Sequence, residues 1–159
     1  MHDLALIDDI HVRSRRVTYR GQVSDHYLDV TMPAASLAEW QAKLPKVLQG
    51  GGCVQVAECD GAPIGFACAL PVDGDGIVYV NNLHALPESK GRGVGTALLA
   101  EVARHACAGG ARAMRLHVLE KNTPAIGFYE SRGWQRLGRE DHEWAGATVV
   151  ALLYELALT

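Results

Sequence analysis

Residues 88–101 read ESKGRGVGTALLAE and place glycine at three alternate positions, Gly91, Gly93 and Gly95, directly before an apolar helical pattern. The run follows a segment of strand-forming residues, so it predicts a strand, a tight turn and the first turn of a helix. In such a turn the backbone N–H groups point together, the helix dipole adds positive potential, and glycine lets an anion approach the backbone. The sequence therefore predicts a phosphate-binding turn between a strand and a helix.

The spacing excludes the two most familiar phosphate motifs. A dinucleotide fingerprint, G-x-G-x-x-G, requires glycine where Thr96 stands. A P-loop requires a Gly-Lys-Ser/Thr ending, which the run lacks. Lys90 and Arg92 add positive charge beside the glycines. The alternative interpretation is a tight strand-to-helix turn that holds no ligand.

Length and composition indicate an ordinary globular chain. Its 159 residues, 48% of them hydrophobic and 21% charged, predict a single domain over 1–159. No segment approaches the roughly 20 apolar residues that span a bilayer, and Asp3, Asp8 and Asp9 do not suit an export signal. We therefore expect a soluble, cytoplasmic protein with no membrane partner.

Charge and cysteine usage narrow the partners further. The formal net charge is −3 and the basic residues form no long tract, so we expect no nucleic-acid partner. The four cysteines show no C-x-x-C spacing, so we expect reduced thiols and no metal site.

Sequence periodicity predicts an order of elements typical of a mixed sheet. The first helix, over residues 4–17, is expected to present Leu6, Ile10 and Val17 as its apolar face. The other predicted elements are a second helix through Leu37, Trp40 and Leu44 that ends at or shortly after Pro45, strands over 53–59, 63–70 and 77–86, a helix from about Gly93 to Ala108, a strand over 112–120, a helix over 122–134 capped by Thr123, and strands over 134–139 and 147–158 separated by EDHEWAG. We therefore expect an α/β (α+β mixed) fold whose sheet carries helices on both faces.

Two motifs in this order resemble a known family. KGRGVGTALL resembles the pyrophosphate loop of the GNAT superfamily of acetyl-CoA-dependent N-acetyltransferases, whose pattern is Gln/Arg-x-x-Gly-x-Gly/Ala, with Lys90, Gly93 and Gly95 at the patterned positions. NTPAIGFYESRGW is similar to the second signature of that family at Asn122, Ala125, Phe128, Tyr129, Gly133 and Trp134. The resemblance is strong from Ile77 to Leu137 and weaker outside that range.

The resemblance implies a GNAT-like sheet that is mixed, mostly antiparallel and twisted. Family members normally begin with a short edge strand, whereas the helical pattern here starts almost at Met1, so this strand is expected to be missing or very short. The implied activity is transfer of the acetyl group of acetyl-CoA to a primary amine of a small molecule or protein, by direct attack in a ternary complex. Acetyl-CoA is thus the implied cosubstrate, with no metal, and a homodimer is expected by family analogy.

The resemblance also implies which residues bind the coenzyme. In the family, the strand before the glycine loop splays from its parallel neighbour and its backbone bonds the pantetheine arm; here that segment is Leu83-His84-Ala85. The asparagines Asn81 and Asn82 are consistent with a bulge there or with the beginning of a loop. The full implied set is Leu83, His84, Ala85, Lys90, Gly91, Arg92, Gly93, Val94, Gly95, Thr96, Asn122 and Tyr129.

Two side chains are candidates for the proton transfers of catalysis. Tyr129 matches the family tyrosine that faces the coenzyme sulfur, where it would protonate the departing thiolate; its alternative role is packing. His117 stands where some members carry a glutamate base. Its rivals are His84, Glu120, a water relay or an amine that is already neutral. Asn122 is expected to hold the coenzyme arm or, alternatively, to cap a helix.

The acceptor amine is expected between the first two helices and the last hairpin, as in relatives. Aromatic candidates for this region are Tyr19, Tyr27, Trp40, His142 and Trp144, and acidic ones are Asp25, Asp29, Asp141 and Glu143. Ordinary core aromatics and solvated charges are the favoured alternative for most of them. The rival function is a catalytically weak or inactive acetyl-CoA-binding or regulatory module. A nucleotide-binding protein is a third hypothesis, which rests on the glycine turn alone.

Overall fold

The structure, a computed structural model, describes residues 4–159 of the chain. Its helices are α1 (Leu4–Thr18), α2 (Met32–Gln49), α3 (Val94–Ala108) and α4 (Thr123–Glu130), with a π-helical turn (Tyr27–Thr31) before α2 and a 3₁₀ turn (Pro87–Ser89) before α3. Its strands are β1 (Cys53–Cys59), β2 (Ala62–Ala69), β3 (Ile77–Ala85), β4 (Ala113–Leu119), β5 (Gln135–Trp144) and β6 (Ala147–Ala157).

The strands form one sheet in the order β1-β2-β3-β4-β6-β5, and only the β3–β4 pair is parallel. Side chains on one face of β1 and β2, such as Val54 and Phe66, pack with α1 and α2. On the other face of the sheet, side chains such as Val78 of β3 and Met114 of β4 pack with α3 and α4. The predicted mixed, mostly antiparallel sheet with helices on both faces is therefore confirmed.

Helix α1 is the first element of residues 4–159, and no strand precedes it there. The beginning of the predicted helical pattern, near Met1, lies outside the described residues. None of the helices in residues 4–159 is long and apolar enough to cross a bilayer.

The predicted buried face of α1 is wrong for two of its three residues. Leu6 and Val17 are 46% and 57% exposed, and the helix instead buries Ile7, Ile10, His11 and Ser14. Two of these residues are polar, and they are buried because each has a hydrogen-bond partner. Trp40 Nε1 donates to His11 Nδ1 at 3.0 Å, and Ser14 Oγ lies 3.0 Å from His84 Nδ1.

The last hairpin also differs from the prediction. The loop expected at EDHEWAG is mostly strand, since β5 runs on to Trp144 and pairs with β6 up to Ala147. Only Ala145 and Gly146 form the turn, and both have positive φ, 50° and 77°, as in the two-residue turns that match strand twist. The chain therefore has a long hairpin in place of a loop.

Helix α2 continues one turn beyond Pro45, the later of the two predicted ends. Leu44 and Val47 are both buried in the core between α2 and the sheet. The free energy gained by burying these two side chains offsets the loss of the backbone hydrogen bond that proline cannot make. The glycines at 50–52 then end the helix.

Candidate active site

A cleft opens where strands β3 and β4 separate. Their parallel pairing covers only three residue pairs, from Ile77–Ala113 to Tyr79–Arg115, although both strands continue beyond it. On the other side of β3, Asn82 pairs with Cys68 and Val80 with Ala69, so Asn81 is the extra residue of a β-bulge. This confirms the bulge interpretation of the paired asparagines.

The cleft has a volume of about 430 Å³. Its walls are the free edge of β3, the end of β4, the glycine turn, α4 and part of α1. It is lined by all of the predicted site residues except Arg92: Leu83, His84, Ala85, Lys90, Gly91, Gly93, Val94, Gly95, Thr96, His117, Asn122 and Tyr129. Arg92 is exposed and does not line the cleft.

The glycine turn forms one end of the cleft. Gly91 and Gly93 have φ of 78° and 80°, a left-handed conformation that residues with a Cβ rarely adopt. Gly93 is the N-cap of α3, so the first amides of that helix have no intrahelical acceptor and point out of its end. A Cβ on Gly95 would lie 3.0 Å from the Phe128 ring of α4, which explains the third glycine. The turn thus has the backbone shape of an anion-binding site.

Two cationic side chains flank this turn. Lys90 Nζ lies 3.3 Å from Thr18 Oγ1 at the end of α1, on the edge of the cleft. Arg132, which follows α4, donates to Thr96 Oγ1 at 2.8 Å, and its guanidinium stacks 3.8 Å from the centre of the Phe128 ring. Both charges are exposed to solvent near the first turn of α3, where a phosphate would be neutralised.

The free edge of β3 forms the long wall of the cleft. Past Tyr79 this strand pairs with β2 alone, so backbone groups on its other edge, near Leu83, His84 and Ala85, have no neighbouring strand. The His84 side chain turns to the α1 side, stacks on Phe66 and is bonded by Ser14. Burial lowers the pKa of His84 to about 3, and the nearby Arg15 cation adds to the effect. His84 is therefore neutral near pH 7 and is poorly suited to accept a proton.

Tyr129 lies on the opposite wall, in α4. It is 8% exposed and packs edge-on against Phe128 and Trp134. Burial raises the pKa of its hydroxyl above the usual range, and Tyr19 adds to this effect. The hydroxyl is therefore protonated near pH 7. Within residues 4–159 no protein group hydrogen-bonds to it, so its proton is available to a ligand in the cleft that Tyr129 lines.

His117 lies on β4 and points away from the α3 side of the sheet, because its neighbours Leu116 and Val118 are the ones buried there. The Tyr79 hydroxyl and His117 Nδ1 are hydrogen-bonded at 2.5 Å. On the other side, His117 Nε2 lies 3.3 Å from Glu140 Oε2 of β5. The imidazole therefore reaches the cleft with its orientation set by two neighbours.

The remaining candidates have structural partners. Asn122, and not Thr123, is the N-cap of α4, because its side chain accepts from the Ala125 amide at 3.4 Å. Asn122 still lines the cleft, so capping does not remove it from contact with a ligand. Glu120 is paired with Arg139 at 3.0 Å and does not line the cleft.

The expected acceptor region is only partly assembled at the cleft. Tyr19 lines the cleft and packs edge-on against Trp144 at the hairpin tip, and Trp144 donates to the Tyr27 hydroxyl at 3.1 Å. Trp40 lies in the core between α2 and the sheet, away from this region. Asp25 and Asp29 are both paired with Arg20.

Sequence reasoning missed four residues around the cleft: Ser14, Tyr79, Arg132 and Glu140. Arg132 had a usable signal, since it lies within the second motif, one helical turn from Phe128. The others come from distant elements, and their contacts span up to 70 positions of sequence, as in the Ser14–His84 pair.

Comparisons with known proteins agree with this arrangement. The model of the acetyltransferase (GNAT) family matches residues 14–134. A thialysine N-ε-acetyltransferase of Mus musculus is 34% identical over 67 residues, which are 42% of this chain and 39% of that protein. An uncharacterised N-acetyltransferase of Methanocaldococcus jannaschii is 33% identical over 93 residues, 55% of this chain and 39% of that protein. The matches therefore span well under half the length of these two curated relatives.

The fold has a solved counterpart. The PaiA N-acetyltransferase of Thermoplasma acidophilum, in complex with coenzyme A, superposes with a TM-score of 0.80 over 98% of this chain and 92% of that one, at 20% identity. This structural similarity covers more of the chain than the family model, which matches residues 14–134. Because that model matches most of the chain, including the glycine turn and the second motif, this protein belongs to the GNAT family of acetyltransferases.

Proposed function

We propose that this protein transfers the acetyl group of acetyl-CoA to a primary amine of a small molecule or protein. One observation carries the proposal: the glycine turn, the free edge of β3 and the buried Tyr129 hydroxyl all line the same cleft. They match the three parts of acetyl-CoA, namely its pyrophosphate, its amide-bearing arm and its thioester. The complex of the Thermoplasma relative with coenzyme A supports this choice of ligand.

The glycine turn and the β3 edge would bind the coenzyme through backbone groups. N–H groups at the beginning of α3, with Lys90 and Arg132 beside them, would neutralise the pyrophosphate. Free backbone groups near Leu83 and Ala85 would bond the pantetheine amides as an added strand does. Asn122 at the far wall would contact the same arm.

Tyr129 and His117 would move the protons. The amine nitrogen attacks the thioester carbonyl, the new C–N bond forms, the C–S bond breaks, and the leaving thiolate takes the proton of the Tyr129 hydroxyl. Burial keeps that hydroxyl protonated, as a general acid requires. His117, oriented by Tyr79 and Glu140, would accept the proton that the amine loses.

Thiol release tests this proposal. Wild-type protein with acetyl-CoA and a panel of primary amines should release free thiol with at least one amine. Tyr129→Phe should slow that release by about 10²–10⁴-fold without abolishing acetyl-CoA binding, because the variant loses a general acid but no phosphate contact. Acetyl-CoA binding without thiol release for any amine would favour the rival function, a regulatory coenzyme-binding module.

We also propose that residues 1–159 act as one cytoplasmic domain that forms a homodimer. Every described strand belongs to one sheet, which supports a single domain. The sheet leaves two edges, β1 and β5, and Leu137 on β5 is 50% exposed. Light scattering at micromolar concentration should give twice the chain mass, and a monomer would exclude the dimer.

A further inference from the structure

We propose that His117, Glu140 and His142 form a binding site for a divalent transition-metal ion of the zinc class. One ligand atom from each of these residues lies within 4.8 Å of the others. Two imidazoles and one carboxylate are a ligand set that zinc accepts, with a further position left for water.

The spacing within the cluster is close to that of a tetrahedral site. Glu140 Oε2 lies 3.3 Å from His117 Nε2 and 3.0 Å from His142 Nε2. An ion with ligand bonds of about 2.0–2.1 Å separates neighbouring ligand atoms by about 3.3 Å when the geometry is tetrahedral. Two edges of the ligand triangle therefore already have the required length. His142 is 48% exposed, so there is room for its side chain to shift and shorten the third edge when an ion binds.

The strand register brings these three side chains together. Glu140 and His142 are two positions apart on β5, so both point to one face of the sheet. Between β5 and β4 lies β6, where Ala151 pairs with Glu140 on one side and with Leu119 on the other. The small Ala151 side chain leaves space for His117, two positions before Leu119, to reach across β6. The three ligands thus come from two strands, β4 and β5, that pair with opposite edges of β6.

The surroundings of His117 suit a metal ligand. Tyr79 is hydrogen-bonded to its Nδ1 atom, the outer contact that usually orients a metal-binding imidazole. Its Nε2 atom is buried and has no hydrogen-bond partner in residues 4–159, although the Glu140 carboxylate lies nearby. A bound cation would satisfy both the free nitrogen and the carboxylate.

Metal at this cluster would inhibit acetyl transfer. His117 lines the cleft, and an ion bound to its imidazole would prevent that side chain from accepting the amine proton in the proposed mechanism. The glycine turn is formed by other residues, so acetyl-CoA binding would continue. This consequence rests on the proposed function, whereas the metal site itself does not.

Metal titration of the full chain tests the site directly. After removal of metal with a chelator, Zn²⁺ is titrated by calorimetry, and Co²⁺ binding is followed through the visible absorption of tetrahedral cobalt. We expect one ion per chain and intense cobalt bands. His142→Ala should weaken binding at least tenfold, because it removes a ligand from an exposed position. His105→Ala is the matched control, since His105 lies on α3 and its Nε2 contacts the Gly51 carbonyl.

Two results would overturn the site: no saturable binding by the wild type, or equal binding by the wild type and His142→Ala. Either result would leave only a hydrogen bond between His142 and Glu140, with His117 beside it. The inhibitory role is tested separately, by thiol release with and without one equivalent of Zn²⁺. Zinc that binds the cluster without slowing thiol release would exclude that role, and thiol release in metal-free protein would still support the proposed function.

Discussion

Gly93 gives a quantitative test of the turn that forms one end of the cleft. Its φ is 80°, and a Cβ added there would meet no atom within 4 Å. Gly93→Ala therefore adds backbone strain without a steric clash. An L-residue in the left-handed region costs about 1–2 kcal/mol, and the stiffer unfolded chain offsets about 0.4–1 kcal/mol of this. We expect a net loss of about 1 kcal/mol in the free energy of unfolding.

Thermal unfolding of the ligand-free protein measures this loss. For a chain of this size, about 1 kcal/mol lowers the midpoint by roughly 2–4 °C. Gly93→Asn should lower it less, because asparagine tolerates the left-handed conformation better than alanine. Gly74→Ala is the matched control, since Gly74 has no positive φ in the strained range and its Cβ would also meet open space. Equal midpoints for Gly93→Ala and Gly74→Ala would refute the strained geometry of the turn.

Three further predictions concern other parts of the molecule. Pro45→Ala should raise the free energy of unfolding by about 2 kcal/mol, because the exposed proline interrupts the hydrogen bonds of α2. Denaturant unfolding would measure this increase, and an unchanged midpoint would contradict the prediction. Arg132→Ala should weaken acetyl-CoA binding about tenfold by calorimetry, since this cation flanks the glycine turn, whereas an unchanged affinity would remove Arg132 from the site. Folding lowers the pKa of His84 from 6.5 to about 3. Between these two pH values the unfolded chain therefore binds a proton at His84 that the folded chain does not bind. The free energy of unfolding should therefore be highest above pH 6.5 and should fall as the pH falls towards 4; in His84→Gln this slope should be shallower, and an identical slope would contradict the burial of His84.

Local signals predicted the parts of the fold that depend on short stretches of sequence. The glycines at 91, 93 and 95 predicted the turn before α3 because left-handed backbone and close approach both require glycine. Asn81 and Asn82 were consistent with a bulge or with the beginning of a loop, and the structure has the bulge, where β3 leaves β4. These features are encoded within a few residues, so a single sequence is sufficient to find them.

Contacts between distant elements could not be predicted in the same way. The buried face of α1 carries His11 and Ser14, which are polar and break the apolar pattern. Their burial is stable only because Trp40 and His84 supply hydrogen bonds, and nothing in the sequence of α1 indicates those partners. The meeting of His117 with Glu140 likewise depends on the order of β4, β6 and β5 in the sheet.

Thermal unfolding in the presence of acetyl-CoA tests the central proposal most directly, with ATP and NAD as controls. A ligand present at 100 times its dissociation constant stabilises the folded state by about 2.7 kcal/mol, which should raise the midpoint by roughly 5–10 °C for a chain of this size. We expect this increase with acetyl-CoA and a much smaller one with either nucleotide. No increase with acetyl-CoA, or an equal increase with ATP or NAD, would contradict the assignment of the cleft to acetyl-CoA.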